Sequence, residues 1–414
     1  MKAILLWKMQ IIESINSNQE KAVELTENYD IVICGGGMIG AALATQLAPQ
    51  GFNIAVIEAQ EPQAFDLSQR FDLRISALSP QSQRVMQAST AWDTLQGMRL
   101  CPYRRMRVWE VEGFGDLTFD AAQVGAEQLG HIAENRLVQL SLWRALSDYS
   151  NVELLCPAAP IRFESSASGT RIELDTGAIL SARLVIGADG AQSKVRQAFG
   201  IGVNRGQYQQ ACLVAAVTTQ LGQQDITWQR FVNTGPQAFL PMLGQHGSVV
   251  WYHQADQVRA LSQLSQLQLG EEIMRQFPPQ LGHIEVSEHA FFPLQKQHAK
   301  RYVGEGVVLV GDAAHVINPL AGQGVNLGFQ DVACLAKVLN DAHEQGADWS
   351  SAKVLMTYEK QRKRANSLML HTMDAFHHGF SQAHPAAKWL RNLTLAAAKV
   401  PALKKQVIRY AMGL

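Results

Sequence analysis

One segment constrains the fold more than any other. From Asp30 the chain runs Ile31-Val32-Ile33, then Gly35-Gly36-Gly37-Met38-Ile39-Gly40, then an apolar stretch to about Ala48, then Asn53 to Ile57. Two short apolar runs around a GxGxxG predict strand, helix and strand within one α/β unit. Each glycine of the motif has a mechanical reason: Gly35 for a tight turn, Gly37 for close backbone approach to a pyrophosphate, Gly40 for close helix–strand contact. The free N–H groups at the helix start, around Met38, Ile39 and Gly40, offer positive potential to phosphate. Glu58 ends the second strand, where an acid can accept both hydroxyls of an adenosine ribose. The motif does not separate FAD from NAD, and a ligand-free glycine turn is the plain alternative.

Two further glycine-rich stretches follow apolar strands. Gly187-Ala188-Asp189-Gly190 through Arg196 comes after Leu184-Val185-Ile186. Alone, Asp-Gly after a strand is a common turn. GDAAHVINPLAGQGVNLG, Gly311 to Gly328, comes after Val307 to Val310. Asp312 then lies just past a strand end, where α/β sheets place ligand contacts. Pro319 to Gly324 reads as a tight loop. A helix opens at Gly324, with Val325, Phe329, Val332 and Ala336 on one face. Its N-terminus would stabilise negative charge. The stretch contains no lysine or arginine, which suits a closed, apolar site.

Between these motifs the pattern changes. Met106 to Val111, parts of Ala211 to Thr218, and Gly247 to Trp251 alternate as half-buried antiparallel strands do. Glu134 to Leu146 reads as a helix, and Arg171 to Ile186 as a hairpin about Asp175-Thr176-Gly177. The predicted fold class is therefore α/β: a Rossmann-like dinucleotide-binding domain with an inserted antiparallel-sheet domain and C-terminal helices. The expected boundaries are 29–97, 130–204 and 296–345 for the first, 98–129 and 205–295 for the second, and 346–414 for the helical region, with Ser350 or Ser351 capping a long helix. Residues 1–28 fit no pattern and are expected to be a disordered extension.

Composition limits the partners. Lys+Arg and Asp+Glu both number 36, so an overall nucleic-acid footprint is not expected. Five scattered cysteines form no CxxC, so neither a disulfide framework nor a metal site is signalled, and a reducing, cytoplasmic setting is expected. No run of 18 apolar residues is present. From Ala375 to Leu414 there is no acid, while Lys388, Arg391, Lys404, Lys405 and Arg409 interleave with Trp389, Leu393 and Val407. Residues 386–414 are thus a candidate for peripheral membrane contact, or else the solvated face of docked helices.

The three motifs in this order resemble the flavoprotein aromatic hydroxylases of the para-hydroxybenzoate hydroxylase fold. That resemblance implies that the GxGxxG holds the ADP half of FAD. The second motif, with Asp189, would lie between FAD and an approaching NAD(P)H. The third, with Asp312, Pro319, Gly322, Gln323, Gly324, Val325 and Asn326, would hold the ribityl chain and flavin ring. Asp72-Leu73-Arg74-Ile75-Ser76-Ala77-Leu78, Val185 to Arg196 and Gly311 to Gly328 are most similar to the ubiquinone-biosynthesis hydroxylases. There Arg74 matches an arginine near flavin and pyrophosphate, and Asn135 a polar flavin contact. Cys101 to Met106, Val250-Trp251-Tyr252 and Tyr410 to Leu414 are nearest the demethoxyubiquinol-hydroxylating branch.

The implied activity is O2-dependent hydroxylation of a polyprenyl benzoquinol by reduced FAD, with NAD(P)H or another donor as reductant and other quinone-biosynthesis proteins as partners. Hydroxylation of another ring position, or a non-catalytic scaffold that retains FAD, are the alternatives. No catalytic residue is assigned. His253, Tyr252 and His315 are candidates for a proton acceptor, each with a plain polar role as the alternative. Phe239, Met242 and Trp251 are candidates for a prenyl channel, or for core.

Overall fold

The computed structural model describes residues 26–111, 116–317 and 324–381. The expectations for residues 1–25, Pro319, Gly322, Gln323 and 386–414 lie outside the described residues.

The nucleotide-type unit is built on a mostly parallel sheet. It comprises β1 (Thr26–Cys34), β2 (Ile54–Ile57), β8 (Val152–Leu155), β11 (Ile179–Gly187), β17 (Val303–Gly304) and β18 (Val307–Leu309), in the order β17-β18-β11-β1-β2-β8. β1 lies parallel to β2 on one side and to β11 on the other, so the chain reverses its direction of travel across the sheet at β1. Buried β-branched residues dominate these strands, as coverage on both faces requires. The strand was expected from Asp30; it begins at Thr26, because Thr26 to Tyr29 pair with Ile179 to Ala182. Glu27 and Asn28 are exposed, so hydropathy does not mark them.

Helix α1 (Met38–Leu47) follows the glycine motif, with Ala41, Ala42 and Ala44 fully buried. It packs between α4 (Asn135–Leu146) and α8 (Gly324–Glu344). A hairpin, β9 (Pro160–Ser166) and β10 (Gly169–Leu174), extends from β11. A small antiparallel sheet, β3 (Ile75–Leu78), β7 (Gly130–Glu134) and β4 (Leu100–Tyr103), runs in the order β3-β7-β4.

The second unit is an eight-stranded sheet. Its strands are β5 (Arg105–Glu110), β6 (Asp116–Asp120), β12 (Val203–Thr219), β13 (Ile226–Val232), β14 (Gly235–Pro241), β15 (His246–Gln254), β16 (Ile284–Ala299) and β19 (His315–Val316). Most neighbours are antiparallel, but β5 pairs with β13 in parallel. The two segments come from distant parts of the chain, so no hairpin fixes their relative direction. Helix α7 (Gln266–Gln276) covers this sheet and closes a second core with Phe239, Trp251 and Ile273. The sheet does not end within the second unit: β16 continues past position 296, and β19, inside the third glycine motif, pairs with it through His298 and His315.

Helix α9 (Ala352–Ser381) begins just after Ser351 and runs back along the first unit. Tyr358 Oη donates to Leu309 O at 2.9 Å, and Glu359 Oε2 accepts the N–H groups of Tyr302 and Val303, both at 2.8 Å. No helix among the described residues is long and apolar enough to cross a membrane.

Candidate active site

The three glycine motifs meet at the C-terminal ends of β1, β2, β11 and β18, where open α/β sheets bind ligands at the switch in strand order. Backbone contacts join them directly. Ala188 N–H donates to Cys34 O at 2.8 Å, and Gly35 N–H to Ile57 O at 2.8 Å. Val310 N–H donates to Gly187 O at 3.0 Å. Ile39 of the first motif lies against Gly311 and Gly328 of the third.

The glycines of the first motif divide their roles as their chemistry requires. Gly35 has φ +106°, a left-handed conformation, and a Cβ there would stand 2.4 Å from Ala188 O. A Cβ on Gly40 would stand 1.9 Å from Gly35 O. At Gly37, the N-cap of α1, nothing lies within 4 Å, so the helix start opens into free space. Gly36 O accepts from Trp143 Nε1 at 2.6 Å and from Gln139 Nε2 at 3.1 Å, both on α4. Gly36 N–H donates to Glu58 Oε2 at 2.9 Å, which brings the carboxylate beside the helix start.

Around this opening stand the other expected residues. Arg74 is exposed and close enough to Asp312 to act on its ionisation. Asp312 is exposed to solvent, although other groups crowd its carboxyl. Burial there raises its carboxyl above the usual range, while His315 and Arg74 pull it down. Asn135 opens α4; its N–H donates to Arg74 O at 2.9 Å, and its Oδ1 accepts from Ser76 Oγ at 2.7 Å. Asp189 Oδ2 accepts from Val195 N–H at 3.1 Å, whereas its Oδ1 is buried with no partner. Gly324 and Val325, both half-buried, begin α8. Asn326 is turned inward: it donates to Ala77 O at 2.8 Å and accepts from Ser79 N–H at 2.9 Å and Ser82 Oγ at 2.7 Å. Its side chain therefore pins the end of β3 to α8.

These features fit a dinucleotide. The open helix start suits a pyrophosphate, the carboxylate beside it suits a ribose, and the orphaned Asp189 oxygen needs a donor.

Several structural residues escape a reading of motifs. Arg196, almost wholly buried, donates to Ala313 O at 2.7 Å and to Ala191 O at 2.9 Å, tying the second motif to the third. Its place in the GADGxxSxVR stretch was visible; its acceptor was not. Arg99 and Glu134 form a buried pair, with Nε 3.1 Å from Oε2 and Nη2 3.1 Å from Oε1. Burial raises the Glu134 carboxyl, opposed by the Asp72 N–H and by Arg99. Beside them Phe71, Cys101, Ile132, Met242 and Leu243 bound a cavity of about 10 Å³, room for no more than a water molecule.

The proton-acceptor candidates are engaged elsewhere. Tyr252 is buried, and burial pushes its hydroxyl pKa well up. His253 Nδ1 accepts the Gln254 N–H at 2.8 Å. His315 Nε2 lies 2.6 Å from Asp331 Oδ2, deep in the protein. Phe239 and Trp251 belong to the core of the large sheet.

The fold and these motifs define an FAD-dependent aromatic hydroxylase of the para-hydroxybenzoate hydroxylase type. A family model described as an FAD binding domain matches residues 164–372. Among solved structures, PqsL, a probable FAD-dependent monooxygenase from Pseudomonas aeruginosa, shares the fold at TM-score 0.75 with 20% identity, covering 90% of this chain and all of that one (100%). The p-nitrophenol 4-monooxygenase PnpA from Pseudomonas putida does so at TM-score 0.74 with 19% identity, covering 94% of this chain and 99% of that one.

Curated relatives are closer in sequence. The 3-demethoxyubiquinol 3-hydroxylase of Escherichia coli is 43% identical over 93% of this chain and 98% of its own length. The ubiquinone hydroxylase UbiL of Rhodospirillum rubrum is 35% identical over 93% and 89%. The ubiquinone biosynthesis monooxygenase COQ6 of Xenopus tropicalis is 31% identical over 97% of each. The chain belongs to the ubiquinone-biosynthesis family of FAD-dependent hydroxylases.

Proposed function

We propose that this chain hydroxylates the ring of 3-demethoxyubiquinol, a polyprenylated benzoquinol, using FAD, O2 and NAD(P)H as reductant. The observation that carries the substrate is the 43% identity, over nearly the whole length of both chains, with the Escherichia coli enzyme of that name.

Bound FAD would supply the redox chemistry that activates O2. The chain's own residues do the rest. The N–H groups at Met38, Ile39 and Gly40 would hold the pyrophosphate, and Glu58 would accept from the adenosine ribose. Asp312 and Arg74 would hold the ribityl end. The N-terminus of α8 at Gly324 provides positive potential where negative charge develops. A quinol is an apt acceptor, because its ring oxygens push electron density onto the carbon that receives the hydroxyl. None of Tyr252, His253 or His315 is proposed as a base.

The test is direct. Purified protein loaded with FAD is given NADH, O2 and a short-tail demethoxyubiquinol, and the product is identified by mass. Strains each blocked at one ubiquinone hydroxylation are complemented in parallel. Rescue of a different block would reassign the ring position, which the weaker likeness to UbiL and COQ6 leaves as the second reading. FAD retention with no turnover of any quinol would favour a scaffold. Contact of residues 386–414 with anionic membrane is part of the same reading; equal flotation of full-length and shortened chains would remove it.

A further inference from the structure

The centre of the third motif is held from behind by a carboxylate that no ligand reaches. Asp331, on the second turn of α8, is fully buried. Its Oδ2 accepts the Gly311 N–H at 3.0 Å and faces His315 Nε2 at 2.6 Å. Its Oδ1 accepts Arg362 Nε at 2.7 Å and Asn366 Nδ2 at 3.2 Å. An ionised carboxylate only accepts, so His315 carries its proton on Nε2 and donates. Burial would raise the Asp331 carboxyl, but His315 and Arg362 together hold it down at about 2.

The four donors come from two places. Gly311 and His315 flank Asp312 in the motif. Arg362 and Asn366 stand one turn apart on α9, and Arg362 Nη2 also donates to Asn366 Oδ1 at 2.8 Å. Asp331 therefore sits between the motif and the C-terminal helix, with one oxygen turned to each. The same helix reaches the large sheet: Asp374 accepts from Tyr208 Oη at 2.5 Å and from Lys296 Nζ at 2.7 Å. A buried carboxylate is unfavourable unless paired and fully hydrogen-bonded. An apolar residue would fill the space but could not fix Gly311 and His315 to one position.

We infer that Asp331 is a positioning residue for the FAD site: it sets the backbone that presents Asp312, and α9 holds it there through Arg362 and Asn366. The inference rests on the reading that Asp312 contacts FAD.

The experiment uses the full chain, stripped of FAD and titrated with it. His315→Ala removes the strut from the motif while leaving the Asp331–Arg362 pair intact. It should weaken FAD binding roughly tenfold, the loss of one charge-assisted hydrogen bond. Hydrogen exchange in residues 311–316 should quicken while that of β1 stays unchanged. His315→Gln, whose amide can donate from a similar reach, should recover most of both effects. Arg362→Gln, whose guanidinium reaches the motif only at Leu327 O on α8, at 3.5 Å, should shift FAD affinity in the same direction.

Asp312→Ala is the control. If it weakens FAD binding but His315→Ala changes neither affinity nor exchange, the positioning role is overturned. If Asp312→Ala binds FAD as the parent does, the flavin reading itself falls, and the inference with it.

Discussion

At the scale of single residues, the buried pair Arg99–Glu134 is the most exacting arrangement outside the glycine motifs. Glu134 is 1% exposed and Arg99 6%. The Arg99 guanidinium also lies 4.2 Å from the Phe71 ring centroid, and Asp72 N–H donates to Glu134 Oε1 at 2.8 Å. Removing one partner leaves a buried charge without its counter-ion. Glu134→Ala should therefore cost about 3–5 kcal/mol in urea unfolding. Replacing both with apolar residues of similar volume should recover most of that; equal loss in the double variant would mean that packing, not charge, sets the cost. Sequence alone did not show this pair, since 34 positions separate the partners and neither lies in a motif. The place of Glu58 beside the helix start, by contrast, was legible, because an acid at the end of the second strand lies next to the GxGxxG turn. Glu58→Ala should lower FAD affinity by roughly tenfold or more in titration of the apoprotein, and should cost about 1 kcal/mol of stability through the lost hydrogen bond from Gly36.

At the scale of elements, the turn from β1 into α1 offers a paired test in one loop. A Cβ on Gly40 would meet Gly35 O at 1.9 Å, and backbone cannot yield as a side-chain tip can. Gly40→Ala should force α1 away from β1 and cost about 1–3 kcal/mol. Gly37 has φ −67° and no neighbour within 4 Å, so alanine there is free of strain. Gly37→Ala should fold with stability unchanged within about 0.5 kcal/mol and yet bind FAD poorly, because the methyl projects where a phosphate would lie. Equal loss of stability in both variants would contradict this division of labour.

The strands and helices around this turn were readable because hydrophobic period and glycine chemistry agree there. The parallel pairing of β5 with β13 was not, because alternation marks which residues are half-buried and carries no direction. Nor was the network about Asp331, whose members at 311, 315, 331, 362 and 366 come together only once α8 and α9 are packed. Asn326 lies within a ligand motif, and its side chain bonds Ala77, Ser79 and Ser82, partners that the motif's spacing does not show.

At the scale of the whole molecule, the small sheet β3-β7-β4 sits where the chain passes between its two units, and it carries a titratable group inside. His131 on β7 is 5% exposed and packs edge-on against Trp92, with ring centroids 4.9 Å apart. Its Nδ1 is buried without a partner. Burial lowers its pKa to about 4, from 6.5 in an unfolded chain.

Above pH 6.5 neither state holds the extra proton, so His131 has no effect on the balance. As the pH falls below 6.5, the unfolded chain binds the proton and the folded one does not, so stability declines until the pH passes about 4. Between pH 6.5 and 5 the loss should be about 2 kcal/mol, at 1.36 kcal/mol per unit. That is a large part of a typical margin of about 5–15 kcal/mol. Urea unfolding at pH 7 and pH 5 measures it. His131→Gln, which does not titrate, should flatten the slope over this interval even if it is less stable at pH 7. An unchanged slope in that variant would assign the acid sensitivity to other groups and return His131 to simple packing.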